Sequence, residues 1–183
     1  MTKSETRTLK ILVAAQAEFL ESGLRGATMQ SIARRAGVAK PTLYAYFPDK
    51  EAVFQATLRN IMSRMVTEAE AILSGPGSAV DRAAEALAGK YVYVRGMLAH
   101  SPHAQELLDG TKSVGGELHG EVSALLSARI ATLLVDEGWP EHAAKHRSEL
   151  LLDCISGLYQ NHAASRTAPE DVAFLARRLL TSP

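Results

Sequence analysis

The 183-residue chain is predicted to be all-α, with a short N-terminal helical module and a longer helical body. Three observations carry that prediction. Aromatic residues make up only 5% of the chain. Alanine and leucine recur from end to end, and no stretch alternates β-branched with polar residues at period two. The apolar positions repeat at helical spacing instead. A first helix is expected over residues 7–22, with Leu9, Leu12, Val13 and Leu20 on its core face and Gly23 as a left-handed cap. Thr28 is the N-cap of a short helix that runs to Ala36 and is closed by Gly37. A third helix starts at Lys40-Pro41, since a proline in the first turn has no N–H to leave unsatisfied. Pro48 stops it, and Asp49 caps a long fourth helix to Leu73. The run Gly75-Pro76-Gly77 is the clearest linker. Helices follow over 81–100 and from Pro102 to 108, then a glycine-rich loop over 109–116. Two long helices, 117–137 and 141–164, flank Gly138-Trp139-Pro140, and a last one covers 169–180. The expected domains are 1–50 and 51–183.

Composition narrows the function. Hydrophobic residues are 46% of the chain and the mean hydropathy is −0.03, which argues against disorder. No apolar run approaches the ~18 residues needed to span a bilayer. The short apolar run 11–15 is followed at once by Glu18 and Glu21, so it does not read as a signal peptide. The single Cys154 excludes an intramolecular disulfide framework, and a cytoplasmic location is expected. The balance of 20 basic against 20 acidic residues hides a split. Residues 1–50 hold eight basic and four acidic side chains, a net charge of +4; the remainder carries −4. An N-terminal face of that sign suits an anionic partner.

Residues 28–47, TMQSIARRAGVAKPTLYAYF, have the makings of a helix-turn-helix. Ile32, Val38 and Leu43 supply an apolar nucleus, Ala33 permits a close crossing, and Gly37 supplies the positive φ of a three-residue turn. Helices of seven to nine residues do not persist alone, so the first helix must complete their core. The pattern is also that of an ordinary helical hairpin. Gly23, Thr28, Ile32-Ala33, Ala36-Gly37-Val38, Thr42-Leu43-Tyr44, Tyr46-Phe47 and Lys50-Glu51, at their fixed spacings, resemble the N-terminal signature of TetR-family transcriptional regulators. The likeness covers residues 7–55 closely. Ala39 departs from it, because many members place Ser or Thr there as the cap of the recognition helix, a bond worth ~1 kcal/mol.

A recognition helix presents its first residues to base edges while surrounding groups hold phosphates. Lys40, Pro41, Thr42 and Tyr44 are therefore the candidate groove residues. The resemblance implies phosphate contacts from Thr28, Tyr46 and Lys50, and Arg34 and Arg35 are expected to divide into one phosphate contact and one solvated charge. It also implies a homodimer through the last two long helices and an effector cavity among the middle ones, with an effector releasing a repressor from a palindromic operator. In 117–137, Leu118, Val122, Leu125 and Leu133 form a core stripe, and Ala124, Ala128, Ala131 and Val135 a second stripe suited to close helix approach. In 141–164, Leu150, Leu151, Cys154, Ile155, Leu158 and Tyr159 leave little room for a wet side. Phe54, Leu58, Met62 and Met65 share a face of the fourth helix, and Tyr91, Met97 and His100 lie on the next, a set suited either to a pocket for a small, mostly apolar molecule or to plain core.

Other chemistry finds little support. His142, His146, Glu149 and Asp153 fall on one stripe with metal-ligand spacing, which reads as a solvated face. Cys154, on a crowded helix, is expected to be buried and inert. The chain has no P-loop, nucleophile elbow or dinucleotide fingerprint, so an enzyme is the runner-up class only by default and no cofactor is expected.

Overall fold

The computed structural model describes residues 2–113, 116–160 and 168–181. Among these residues lie nine helices and no strand: α1 (Lys3–Gly26), α2 (Met29–Ala36), α3 (Lys40–Tyr46), α4 (Lys50–Leu73), α5 (Ala79–His100), α6 (Ala104–Ser113), α7 (Gly116–Asp136), α8 (Glu141–Gln160) and α9 (Pro169–Leu179). The chain packs as two compact units. One joins Met1–Ser63 with Gly96–His119, the other Arg64–Arg95 with Gly120–Pro183, and α4, α5 and α7 contribute residues to both. Segment 1–50 falls wholly in the first unit. No described helix is long and apolar enough to cross a membrane.

In the first unit, α1 starts four residues earlier than expected because Thr2 and Glu5 form a capping box. The Glu5 N–H donates to the Thr2 hydroxyl at 3.2 Å, and the Thr2 N–H donates to the Glu5 carboxylate at 2.9 Å. Its regular course ends at Gly23, where φ is 69°. A Cβ at Gly23 would also lie 2.7 Å from Nδ1 of His103, so glycine is required there twice over. The core of this unit is Ile11, Phe19, Ile32 and Leu43, with Phe19 meeting Phe54 edge to face at 5.2 Å. The expected core face of α1 is corrected. Leu9 and Val13 are exposed and Leu20 half-buried, while Ile11, Leu12, Ala14, Ala15 and Phe19 face inward. That inward stripe contains Glu18, and a carboxylate in the stripe hid it from a reading based on apolar spacing.

The expected loop over 109–116 is also corrected, because α6 continues to Ser113. One glycine inside a helix costs only ~1 kcal/mol. Here α6 is held to α1 through Glu106, whose carboxylate accepts the Leu24 N–H at 2.9 Å and lies 3.0 Å from Nδ1 of His103. Residues 114–115 of that loop lie outside the described residues.

In the second unit, the Ser78 hydroxyl and Asp81 cap each other, so α5 opens two residues earlier than expected. Arg82 donates to the Leu73 carbonyl at 2.8 Å, and Arg129 pairs with Glu70 at 2.9 Å. Leu73, Leu87, Tyr91, Ile130, Leu134, Leu151 and Ile155 form the core. The stripes of α7 differ from expectation in one residue: Val122 and Leu133 are buried as expected, together with Leu126, but Leu125 is 55% exposed and belongs with the alanine face. The side chains of Leu118 and Tyr159, and residues 161–164 of the expected helix 141–164, lie outside what is described. On α8, Leu150 and Cys154 are exposed, which overturns the expectation of a buried cysteine. The two residues lie one turn apart, on the face opposite Leu151, Leu152 and Ile155.

Candidate nucleic-acid interface

The helix-turn-helix is built as its sequence requires. The Thr28 hydroxyl accepts the Ser31 N–H at 3.0 Å, and the Ser31 hydroxyl accepts the Thr28 N–H at 3.0 Å, so α2 opens on a reciprocal cap. Gly37 closes α2 in the left-handed region with φ 62° and ψ 38°; its N–H donates to Arg34 and that of Val38 to Ala33. The recognition helix α3 has Ala39 at its N-cap, with no side-chain cap bond, and Pro41 in its first turn. Its fully buried Leu43 anchors one face against Ile32 and the rest of the core. The other face carries Lys40, Pro41 and Tyr44, all exposed, with the Lys40 ammonium 5.9 Å from the centre of the Tyr44 ring. Thr42 is half-buried beside them.

The remaining expected contacts sort by what already engages them. Arg34 is exposed and forms no ion pair among the described residues. Arg35 is taken: its guanidinium donates to the buried Glu18 carboxylate at 2.9 Å and to Glu21. Arg34 is thus the residue left for an external anion. Thr28 is exposed, though its hydroxyl also serves the α2 cap. Tyr46 is half-buried, and Ser4 and Arg7 hydrogen-bond its phenol; the Ser4 bond first, then the Arg7 guanidinium, holds the hydroxyl below the usual tyrosine range.

Lys50, expected on a phosphate, is engaged by backbone carbonyls in this structure. Its ammonium donates to the carbonyls of Leu24 at 2.6 Å, Ala27 at 2.9 Å and Arg25 at 3.5 Å, so its donors go to the last turn and C-cap of α1. Those carbonyls end α1 with no helical partner of their own, a demand that residue spacing does not reveal.

Sequence reasoning missed the opposite wall of this surface. Lys3, Thr6, Arg7 and Lys10 of α1 face Gly37, Val38, Ala39 and Thr42 across an open cleft of about 530 Å³. The signal was available as the spacing of three cations along one helix face.

The effector candidates do not gather in one unit. Phe54, Leu58, Met62 and Met97 are buried in the first, with Phe54 packed on Phe19 and the Met97 sulfur 3.8 Å from the Gln16 amide. Met65 and Tyr91 are buried in the second. His100 is exposed, and its Nδ1 lies 2.7 Å from the Gly96 carbonyl. The four-residue stripe His142, His146, Glu149 and Asp153 is exposed throughout.

Residues 11–57 match the family described as bacterial regulatory proteins, tetR family. The transcriptional regulator RutR of Escherichia coli K12 is 34% identical over 137 residues, covering 70% of this chain and 59% of RutR. The chain thus spans about three fifths of that relative's length. The transcriptional activator FasR of Mycolicibacterium smegmatis is 36% identical over 63 residues, 34% of this chain and 29% of FasR. Among solved structures, a transcriptional regulator from Cytophaga hutchinsonii superposes with a TM-score of 0.73 at 22% identity, covering 93% of this chain and 95% of the other. A TetR/AcrR-family regulator from Thermobifida fusca reaches 0.64 at 24%, over 96% and 97%. These two likenesses concern the fold.

Proposed function

This chain belongs to the tetR family of helix-turn-helix transcriptional regulators, and on that premise we propose that it binds a palindromic operator as a homodimer and represses transcription until a small, mostly apolar effector releases it. The observation that carries the DNA-binding reading is α3 itself. Its buried Leu43 fixes the helix, while Lys40, Pro41 and Tyr44 are exposed and Thr42 half-buried, and Arg34 of α2 is exposed as well. Lys40, Thr42 and Tyr44 read bases; Arg34, Thr28 and Tyr46 hold the backbone. The protein acts in the cytoplasm, where its operator lies.

The homodimer is supported by the second unit. Ala124, Leu125, Ala128 and Val135 of α7 and Leu150 of α8 are exposed apolar side chains. Ala124, Ala128, Ala131 and Val135 also line a groove of about 380 Å³ edged by Glu141, Lys145 and Glu149. Small residues at helical spacing let a second helix approach closely, and a twofold pairing supplies the two half-site readers that a palindrome needs. The effector is received beside Met65 and Tyr91 of the second unit, and a tilt of α4 alters the spacing of the paired recognition helices. A coupling of ~1–3 kcal/mol is enough to change operator affinity 5–150-fold.

Selection of bound sequences from a random duplex pool tests the reading. A two-fold symmetric consensus, with affinity falling steeply in salt, is the expected outcome; recovery of no enriched sequence overturns it. For the dimer, Ala128→Arg is expected to give a folded monomer in sedimentation, because an unpaired guanidinium in a close helix contact costs several kcal/mol. A variant that stays dimeric places the interface elsewhere.

A further inference from the structure

We propose that Lys3, Arg7 and Lys10 of α1 form an additional backbone-phosphate site for the operator duplex, set across a cleft from the start of the recognition helix. The proposal rests on α3 being the groove-facing helix. The three cations stand at i, i+4 and i+7, which places them on one face of α1. With Thr6 they make one wall of the cleft of about 530 Å³ whose other wall is the helix-turn-helix turn and Thr42. The Lys10 ammonium is directed at that turn, since a Cβ built on Gly37 would stand 3.4 Å from its Nζ. The absence of a side chain at Gly37 keeps the mouth of the cleft clear around the ammonium.

The charge here is not neutralised by any acidic side chain, the Tyr46 phenol beside Arg7 being its one internal partner that is described. All three side chains are exposed, and none pairs with a carboxylate among the described residues. Glu5, the one acidic residue of this stretch, accepts the Thr2 N–H and serves the helix cap. Arg35 and Lys50, by contrast, are engaged by Glu18 and Glu21 and by three carbonyls respectively. Three like charges on one helix face repel each other and are favourable only beside an anion. Arg7 also reaches the Tyr46 phenol, which ties this wall to the last turn of α3. A phosphodiester seated in the cleft lies next to the bases that Lys40 and Thr42 face. The contact therefore adds affinity and register, without base preference.

The test compares the wild-type protein with Lys3→Met/Lys10→Met on the duplex that the wild type selects and on a scrambled duplex, at three salt concentrations. Methionine keeps the apolar stems and removes only the charge. The double variant is expected to lose about 10–100-fold in affinity on both duplexes, with the log–log salt slope shallower by about 0.9 for each phosphate released. Its base preference in a repeated selection stays that of the wild type. Lys3→Glu, in the exposed first turn of α1, is the second variant; it is expected to weaken both duplexes in the same way and keeps the test intact should the double variant not fold. Unchanged affinity and slope overturn the proposal, as does a loss confined to the selected duplex with altered base preference. If the wild type enriches no duplex, the DNA-binding reading itself fails; if it does and the variants bind equally well, only the cleft assignment fails.

Discussion

At the C-terminal flank of α1 the nearby cations are occupied. Arg35 is held by Glu18 and Glu21, and Lys50 by the carbonyls of Leu24, Arg25 and Ala27. At the N-terminal flank Lys3, Arg7 and Lys10 face an open cleft and pair with no carboxylate among the described residues. The two flanks use the same residue types in the same short segment, but the first has carboxylates and unpartnered helix carbonyls nearby, whereas the second offers only the Tyr46 phenol, to Arg7. A buried carboxylate such as Glu18 or a set of frayed helix carbonyls costs free energy unless a donor reaches it, so the nearest cation is drawn inward. Where no such acceptor exists, the cation stays outside and its charge is available to a partner. A basic residue in a DNA-binding module is thus a contact candidate only after its internal acceptors have been excluded.

The sharpest way to break this contrast is Glu18→Ala. Removal of the buried carboxylate leaves Arg35 with the exposed Glu21 alone, and a loss of about 1–3 kcal/mol is expected in denaturant unfolding, reduced from the cost of a fully buried pair because Arg35 is partly solvated. If Glu18→Ala is as stable as the wild type, the inner flank is not structural.

Lys50→Met comes next. Three carbonyls lose their donor, and a cost of ~1–2 kcal/mol is expected, with the salt slope of DNA binding unchanged at full folding. A slope shallower by about 0.9 would instead put the Lys50 charge on a phosphate. Arg34→Met should do the reverse. Its stability should stay within ~0.5 kcal/mol of wild type while the slope becomes shallower by about 0.9.

The smallest effect concerns Glu106. The Leu24 N–H first, and His103 second, hold its carboxyl below the usual glutamate range. A carboxylate with a lowered folded pKa contributes stability that is complete above its unfolded pKa of about 4.5 and is lost as pH falls through the folded value. The protection factor of the Leu24 amide is therefore expected to be flat above pH about 5 and to drop below it, and Glu106→Gln should remove the pH dependence. An amide whose protection ignores pH in both proteins refutes the role of this contact.

Much of the module was legible because its signals are local. Thr28 as cap, Gly37 in the left-handed region, Pro41 in the first turn of α3 and Asp49 before α4 each act through atoms within a few residues. The expected loop at 109–113 failed because the glycine at position 110 reads as a helix stop, although one glycine inside a helix costs only ~1 kcal/mol. Leu125 and Cys154 were assigned to the wrong side because a helix apolar on two faces does not itself say which face its own unit covers.

The sequence alone determined the all-α class, the capped and glycine-turned pair of short helices, and the excess of positive charge in residues 1–50, because propensity, capping and net charge are properties of neighbours along the chain. Only the tertiary structure decided which of those charges are free. Whether Arg35 or Lys50 meets a carboxylate or an orphan carbonyl depends on helices crossing at distances no spacing rule encodes. The same packing left Lys3, Arg7 and Lys10 without a carboxylate partner among the described residues and set them opposite Gly37, and a cluster of like charges not neutralised inside the protein favours an anion outside it.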